Sequence, residues 1–310
     1  MNDSMILILG VTASGKARLA FDLARDLNAD ILSIDSMKVY RRMNIGTAKP
    51  SQEARRRITH HLIDIVEPSD YFSVAAFLDA ALDAIRRITA AEKPVVAVGG
   101  TALYIKALLY GLFQGPGADE QLRQNLRAQA RTEGLNVLYD ELTSIDPVAA
   151  DRIDPYDERR IIRALEIYRL TGRPISSFQK QFAAQKPLHK WKMIGLRRER
   201  EDASSRINSR TKKMIAEGLV DEVKSLLAEE KPLSKQAGSA IGYAEIIEHL
   251  AGRITLEDAT ELIKKNTRRL AKNQRTWFKT FSDVRWLDVT PEEPPEEIFT
   301  RAKAVLENMK

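Results

Sequence analysis

The sequence predicts an α/β protein: a parallel β-sheet covered on both faces by helices, with a helical segment inserted into it. Three observations carry that prediction. Short runs such as Met5-Ile-Leu-Ile-Leu9 and Val95-Val-Ala-Val98 are apolar at every position, as strands buried on both faces are. Helical patterns alternate with these runs, as βαβ crossovers require. Between 118 and 189 the alternation stops and only helical patterns remain.

The elements follow in order. Met5–Leu9 is a strand that runs into Gly10-Val-Thr-Ala-Ser-Gly-Lys16, and a helical pattern extends from Ala17 to Leu27. Asp30–Ile34 is a second strand ending at Asp35, followed by a loop through Gly46 and Pro50. His61–Val66 reads as a third strand. Ser73–Ala91 has helical spacing, with Phe77, Leu78, Leu82, Ile85 and Ile88 on one face. Pro94–Val98 is a further strand, closed by Gly99-Gly100-Thr101 and followed by a helix to Tyr110. Gly115-Pro116-Gly117 breaks the pattern. Helical spacing then runs from Asp119 to about Phe182, and Lys190–Leu196 returns to the sheet. Helices are predicted over 205–216, 219–228, 240–250 and 256–281, a late strand over 284–289 and a helix over 294–309. The expected domains are a core of 1–117 with 190–310, and a helical insertion of 118–189.

Composition narrows the chemistry. The 310 residues include no cysteine and only four histidines, His60, His61, His189 and His249. Disulfides, thiolate nucleophiles, zinc–thiolate sites and Fe–S clusters are excluded. Any metal is expected to be a hard cation on oxygen ligands. The apolar run near the start is five residues long, short of a signal-peptide core or a membrane span, so a cytoplasmic protein with no membrane partner is expected.

Gly10-x4-Gly15-Lys16, after a strand and before a helix, makes the core P-loop NTPase-like. The glycines let backbone N–H groups turn toward phosphate oxygens, Lys16 adds a charge, and the next helix offers its N-terminus. Gly10, Val11, Thr12, Ala13, Ser14, Gly15, Lys16 and Ala17 are therefore expected to hold a diphosphate. The pattern calls for Ser or Thr after the lysine, where a hydroxyl ligates Mg²⁺ on a nucleoside triphosphate. Ala17 stands there instead, which weakens an ATPase or GTPase reading. Mg²⁺ is still expected, on Ser14, Asp35, Thr101 or mainly water. Asp35, at the end of the second strand, is placed to accept a proton, although an aspartate there also serves as a loop-fixing cap.

Beyond the loop, a series of segments resembles one family. Gly10–Lys16, Ile34-Asp-Ser-Met-Lys-Val-Tyr-Arg41, Ile45-Gly-Thr-Ala-Lys-Pro50, His60-His-Leu-Ile-Asp64 and Val98-Gly-Gly-Thr-Ala-Leu-Tyr104 are similar to the isopentenyl-diphosphate:tRNA transferases. So are Asp157-Glu-Arg-Arg-Ile-Ile-Arg-Ala-Leu-Glu166, Ala240-Ile-Gly-Tyr243 and Thr267-Arg-Arg-Leu-Ala-Lys-Asn-Gln-Arg-Thr-Trp277. The resemblance implies transfer of a dimethylallyl group from dimethylallyl diphosphate to N6 of the adenosine 3′ of the anticodon, in tRNAs reading codons that begin with U. It makes Asp35 the general base and Thr101 the residue at the donor–acceptor junction. Asp35, Ser36, Met37, Lys38 and Thr101 would touch the extruded base, and Arg210 would lie near the diphosphate. Arg123, Arg159, Arg160, Ile161, Ile162 and Arg163 would contact tRNA from the insertion. The family loop usually reads Gly-Pro-Thr-Ala-Ser-Gly-Lys-Thr, so Val11 and Ala17 depart from it, as Asn273 departs from the usual arginine.

The positive charge has one main location. The chain carries 49 basic and 43 acidic residues. Seven of the basic ones, Lys264, Lys265, Arg268, Arg269, Lys272, Arg275 and Lys279, fall on one predicted helix within an arc of about 140°. Without them the chain has 42 basic against 43 acidic residues. Ile263, Leu270, Trp277 and Phe281 are expected on the opposite, packed face. The ridge reads as a phosphate-backbone contact for the anticodon stem-loop, with Lys264, Arg268, Arg269, Lys272 and Arg275 at its centre. A monomer is expected, since one copy can grip one stem-loop.

Two alternatives stand beside this reading: a P-loop small-molecule or nucleotide kinase, and a tRNA-binding relative with weakened catalysis. An Ala17→Thr variant is expected to tighten Mg²⁺-dependent donor binding, and a Mg²⁺ titration of wild type and variant checks it.

Overall fold

The computed structural model describes residues 5–112, 115–179 and 187–309. Its sheet has the order β3-β2-β4-β1-β5-β6, and every pairing is parallel. The strands are β1 (Met5–Gly10), β2 (Asp30–Ile34), β3 (His60–His61), β4 (Val95–Gly99), β5 (Lys192–Arg197) and β6 (Arg285–Asp288). Alternate strand residues face opposite layers. Ile6 and Ile8 join Leu19, Leu23, Ile298, Ala302 and Leu306 in one buried cluster, so α1 (Lys16–Asp26) and α15 (Pro295–Glu307) cover that face. Leu7 and Leu9, equally buried, point to the other face. On the β2 and β4 side packs α3 (Val74–Ala90), whose Phe77 stacks on Tyr104 of α4 (Ala102–Tyr110) at 4.1 Å.

The long basic helix is α14 (Leu256–Phe278), N-capped by a Thr255–Asp258 box. It packs on β1, on α10 (Arg200–Ala216) and on α13 (Tyr243–Leu250). Its buried seam is Ala259, Ile263, Lys264, Thr267, Ala271, Gln274 and Phe278. Leu270 and Trp277, expected on the packed face, are instead exposed. Lys264, expected on the ridge, is buried and paired with Glu261 at 2.6 Å.

The predicted strand His61–Val66 is cut to His60–His61. Leu62 (φ 63°) and Asp64 (φ 57°) take left-handed backbone, which a strand cannot hold, and only a single bridge between Tyr40 and Val66 remains. The turn delivers Asp64 to Lys49 (2.6 Å) and to Arg55 of a short helix, α2 (Gln52–Arg57), inside the span read as loop.

The chain divides into two compact units, one running to Leu109 and resuming at His189, the other Tyr110–Leu188. The sequence reading placed these limits at 117/118 and 189/190. In the second unit, α5 (Glu120–Glu133), α6 (Leu135–Ile145), α7 (Pro147–Ala150), α8 (Glu158–Thr171) and α9 (Ile175–Gln179) surround their own core. The predicted helical stretch from 180 to 182 lies outside the described residues. Glu166 is fully buried there and accepts from Arg123 Nε (2.9 Å) and Nη2 (3.0 Å), Arg163 Nη1 (2.5 Å) and the Asp119 amide (2.7 Å). Burial opposes ionisation of this carboxyl, but its donors overcome that and hold it below the usual range. Truncating it leaves two guanidinium groups without their counter-charge. Glu166→Ala is expected to cost this unit about 3–5 kcal/mol, read as a lower urea midpoint in the full chain.

Candidate active site

The site is built at the carboxyl ends of β1, β2 and β4, where open parallel sheets place their ligands. The turn after β1 uses left-handed backbone at Ala13 (φ 64°) and Gly15 (φ 97°), which curls the loop over the start of α1. Lys16 Nζ donates to Val11 O at 3.1 Å, across the loop. Three arginines of the β5–α10 segment grip the same turn. Arg198 Nε donates to Ser14 O (2.9 Å), Arg206 Nε to Ala13 O (3.0 Å) and Arg210 Nη2 to Thr12 Oγ1 (2.6 Å).

A buried amide fixes the loop to its neighbour. Gln274 Oε1 accepts from the Thr12 amide and its Nε2 donates to Gly100 O, each at 2.8 Å. A Cβ on Gly100 would sit 2.5 Å from that Nε2, so a side chain there would push the amide out of this position. Sequence reading missed Gln274, Arg198 and Arg206. A glutamine within a polar helix carries no local signal. Arg206 lies one helical turn before the predicted Arg210 on α10, and Arg198 just before that helix, which is the signal that was present.

Asp35 follows β2. Its Oδ1 accepts from the amides of Met37 (2.9 Å) and Lys38 (3.2 Å), so the loop-fixing role is real. Thr101 Oγ1 accepts from the Ser36 amide at 3.2 Å and ties the β2 and β4 ends together. Beyond this lies a cavity of about 1180 Å³. Lys16, Ala17, Asp35, Ser36, Met37, Lys38 and Arg210 line it, with Gly46–Ala48, His60 and Ser239–Gly242 further out. Thr101 supports this wall without lining it. The outer loop is held by Glu222, whose carboxylate accepts from the amides of Asn44, Ile45 and Gly46 and from Tyr243 OH (2.6 Å).

The electrostatics are those of an anion site. Burial pushes Lys16 down to about 7, and the neighbouring charges of Lys38 and Arg210 push the same way, with Asp35 opposing. Burial also lowers Lys38 and Arg210. The protein donors beside the turn are too few to hold Mg²⁺ by themselves, without phosphate oxygens or water. Among the described residues no group of three His, Asp or Glu side chains could hold a metal. Ser14, expected as a ligand, is fully buried, with Oγ unpartnered and turned against Gly10. The residue borders the cavity, but its hydroxyl lies on the buried side of the turn.

The remaining predicted contacts separate by burial. Arg123 and Arg163 are paired with Glu166, and the Ile161 and Ile162 side chains are buried in the second unit's core, away from its surface. Arg159 and Arg160 are exposed on α8, Arg160 beside Asp157. On α14, Arg268, Arg269, Lys272 and Arg275 line a groove of about 370 Å³ together with Arg200 of α10, with no acidic residue in its lining. Arg268 also donates to Asn208 at 2.7 Å.

Residues 38–281 match the family model described as IPP transferase. A tRNA dimethylallyltransferase of Geobacter metallireducens is 47% identical over 284 residues, covering 92% of each chain. One of Acetivibrio thermocellus is 40% identical over 305 residues, covering 98% of this chain and 97% of its own. Among solved structures, the full-length tRNA isopentenylpyrophosphate transferase of Bacillus halodurans has a TM-score of 0.72 at 40% identity, covering 99% of this chain and 98% of that one. A eukaryotic dimethylallyltransferase, solved acting on tRNA, has a TM-score of 0.78 at 26% identity, covering 99% and 80%.

Lys16 gives a pH-dependent test of the cradle. Its proton is bound more weakly in the folded chain than at the ordinary value of 10.5, so the unfolded state holds more protons between about 7 and 10.5. Its charge therefore costs stability at neutral pH, and that cost fades as pH rises. Lys16→Met is expected to raise the melting temperature at pH 7, with the gain shrinking toward pH 10, in thermal melts across that range.

Proposed function

The chain belongs to the IPP transferase family, and from that premise we propose that it transfers a dimethylallyl group from dimethylallyl diphosphate to N6 of the adenosine 3′ of the anticodon. The tRNAs would be those reading codons that begin with U, the products N6-isopentenyladenosine and diphosphate. One observation carries the reading: the glycine-framed turn, the cations Lys16, Lys38 and Arg210 and the carboxylate of Asp35 all line the same cavity. The kinase reading loses support, because the similar chains are dimethylallyltransferases rather than phosphotransferases, and Ala17 removes the hydroxyl a triphosphate site uses.

In this reading the bond from the dimethylallyl C1 to the diphosphate oxygen breaks and a bond from N6 to C1 forms. Lys16, Lys38, Arg210 and the amides of the turn absorb the charge that develops on the leaving oxygen. Asp35 accepts the proton that N6 sheds; its Oδ1 is already oriented by two amides, so its position costs no reorganisation on reaction. An anticodon-loop base must leave its stack to reach an enclosed site. The exposed Arg159, Arg160, Arg269 and Lys272 and the half-buried Arg275 are the candidates for the RNA backbone. All of these residues lie on one chain, so a monomer suffices, and size-exclusion with light scattering checks it. No helix of the described residues is long and apolar enough to cross a membrane, and the compartment proposed is that of the tRNA, the cytoplasm.

The decisive assay mixes the protein, Mg²⁺, dimethylallyl diphosphate and an anticodon stem-loop with adenosine 3′ of the anticodon, and weighs the RNA. A gain of one prenyl mass is expected. Asp35→Asn keeps the shape, removes the base and is expected to slow transfer by about 10²–10⁴. Full rate in that variant would show that another group takes the proton.

A further inference from the structure

We propose that this loop binds its diphosphate without a metal held by the protein, with Lys16, Lys38 and Arg210 neutralising it directly. The inference rests on the reading of the cavity as the donor diphosphate site, and concerns how the charge is met there.

The oxygen donors come first. The residue after the loop lysine, whose hydroxyl would reach a metal on the phosphates, is Ala17, exposed at the start of α1 with only a methyl group. Ser14 Oγ is sealed behind the turn against Gly10. Asp35 is the carboxylate left facing the phosphate end, and its Oδ1 already accepts two amides. It also lies in the field of three cations, since its charge acts on Lys16, Lys38 and Arg210 alike. A free divalent cation entering there meets net positive charge and one partly occupied carboxylate.

The cations point the same way. The hydrogen bonds of Lys16 and Arg210 go to neutral oxygens, Val11 O and Thr12 Oγ1, so neither charge is cancelled by its own partner. Arg198 shows the contrast: it grips the same turn but is paired with Asp202 at 2.8 Å. Lys16, Lys38 and Arg210, three basic groups against the one carboxylate of Asp35, thus meet beside the turn, and a bound anion favours the protonated form of Lys16, which burial pushes down to about 7. A multiply charged diphosphate removes their mutual repulsion on binding. Mg²⁺ in this chain would then arrive on the diphosphate and its water, or not at all.

Calorimetry with inorganic diphosphate and the full chain tests this, in EDTA and in excess Mg²⁺. The dissociation constant is expected to change by no more than about threefold between the two, where each tenfold is 1.4 kcal/mol. Ala17→Thr restores the hydroxyl at an exposed position and is expected to gain about tenfold or more from Mg²⁺. Arg210→Gln, shown folded by circular dichroism, is expected to lose about tenfold or more in EDTA. Wild-type binding that needs Mg²⁺ overturns the metal-free cradle and leaves the donor site standing. No binding in either buffer by a folded protein overturns the donor-site reading as well.

Discussion

The geometry of the site depends on one buried side-chain amide. Gln274 comes from α14, far along the chain, and joins the Thr12 amide to Gly100 O. Both groups belong to turns that follow sheet strands, and neither has a partner in the sheet itself. A buried amide left unpaired costs about 1–3 kcal/mol, so each turn is held by what Gln274 supplies. The link also removes the Thr12 N–H from those that can face a phosphate. The Ser14 N–H is taken as well, donating to Val11 O at 3.2 Å.

That fixed frame lets like charges be held together. Lys16, Lys38 and Arg210 would separate on flexible loops, because Lys38 and Arg210 weaken proton binding at Lys16 and Arg210 does so at Lys38. Here the Lys38 amide is pinned by Asp35, Arg210 by Thr12, and Lys16 by Val11. The repulsion is stored in the empty cradle and released by an anion, the usual exchange of stability for function at such sites. The outer wall follows a related logic. Glu222 gathers three successive amides of 44–46, while Asp64 takes Lys49 and Arg55, so a loop with no regular structure of its own is shaped by two carboxylates.

Much of this was legible in sequence, for physical reasons. Strands buried on both faces must be apolar throughout, so β1, β2 and β4 announce themselves, and a glycine-framed turn with lysine between strand and helix has few other uses. Asp35 and Lys16 were found by position in that pattern. What stayed hidden depends on long-range partners. The left-handed turn at Leu62 and Asp64 is stabilised by Lys49 and Arg55, which no local alternation reveals. Ile161 and Ile162 were carried into the RNA contacts with the segment around them, yet their spacing from Leu165 is that of a core stripe. Of the packed face expected for the basic helix, Ile263 and Phe281 are buried, while Leu270 and Trp277 are not. Thr267 and Gln274 are buried there instead, since the helix packs on polar turns as well as on apolar strands.

That same helix joins the two halves of the proposed reaction. Gln274 and Arg275 are consecutive and so point about 100° apart. Gln274 closes the donor turn, and Arg275 lines the acid-free groove with Arg268, Arg269 and Lys272. A slip of one residue would put either the Arg275 guanidinium or the shorter Asn273 amide into the place of Gln274. The register is pinned by Ile263, Ala271 and Phe278, which are buried on the inner side. The basic ridge therefore cannot be repositioned independently of the donor turn. An RNA backbone held on this helix is held at a fixed distance from the diphosphate, which is the alignment that joining a weak amine nucleophile to a single carbon demands.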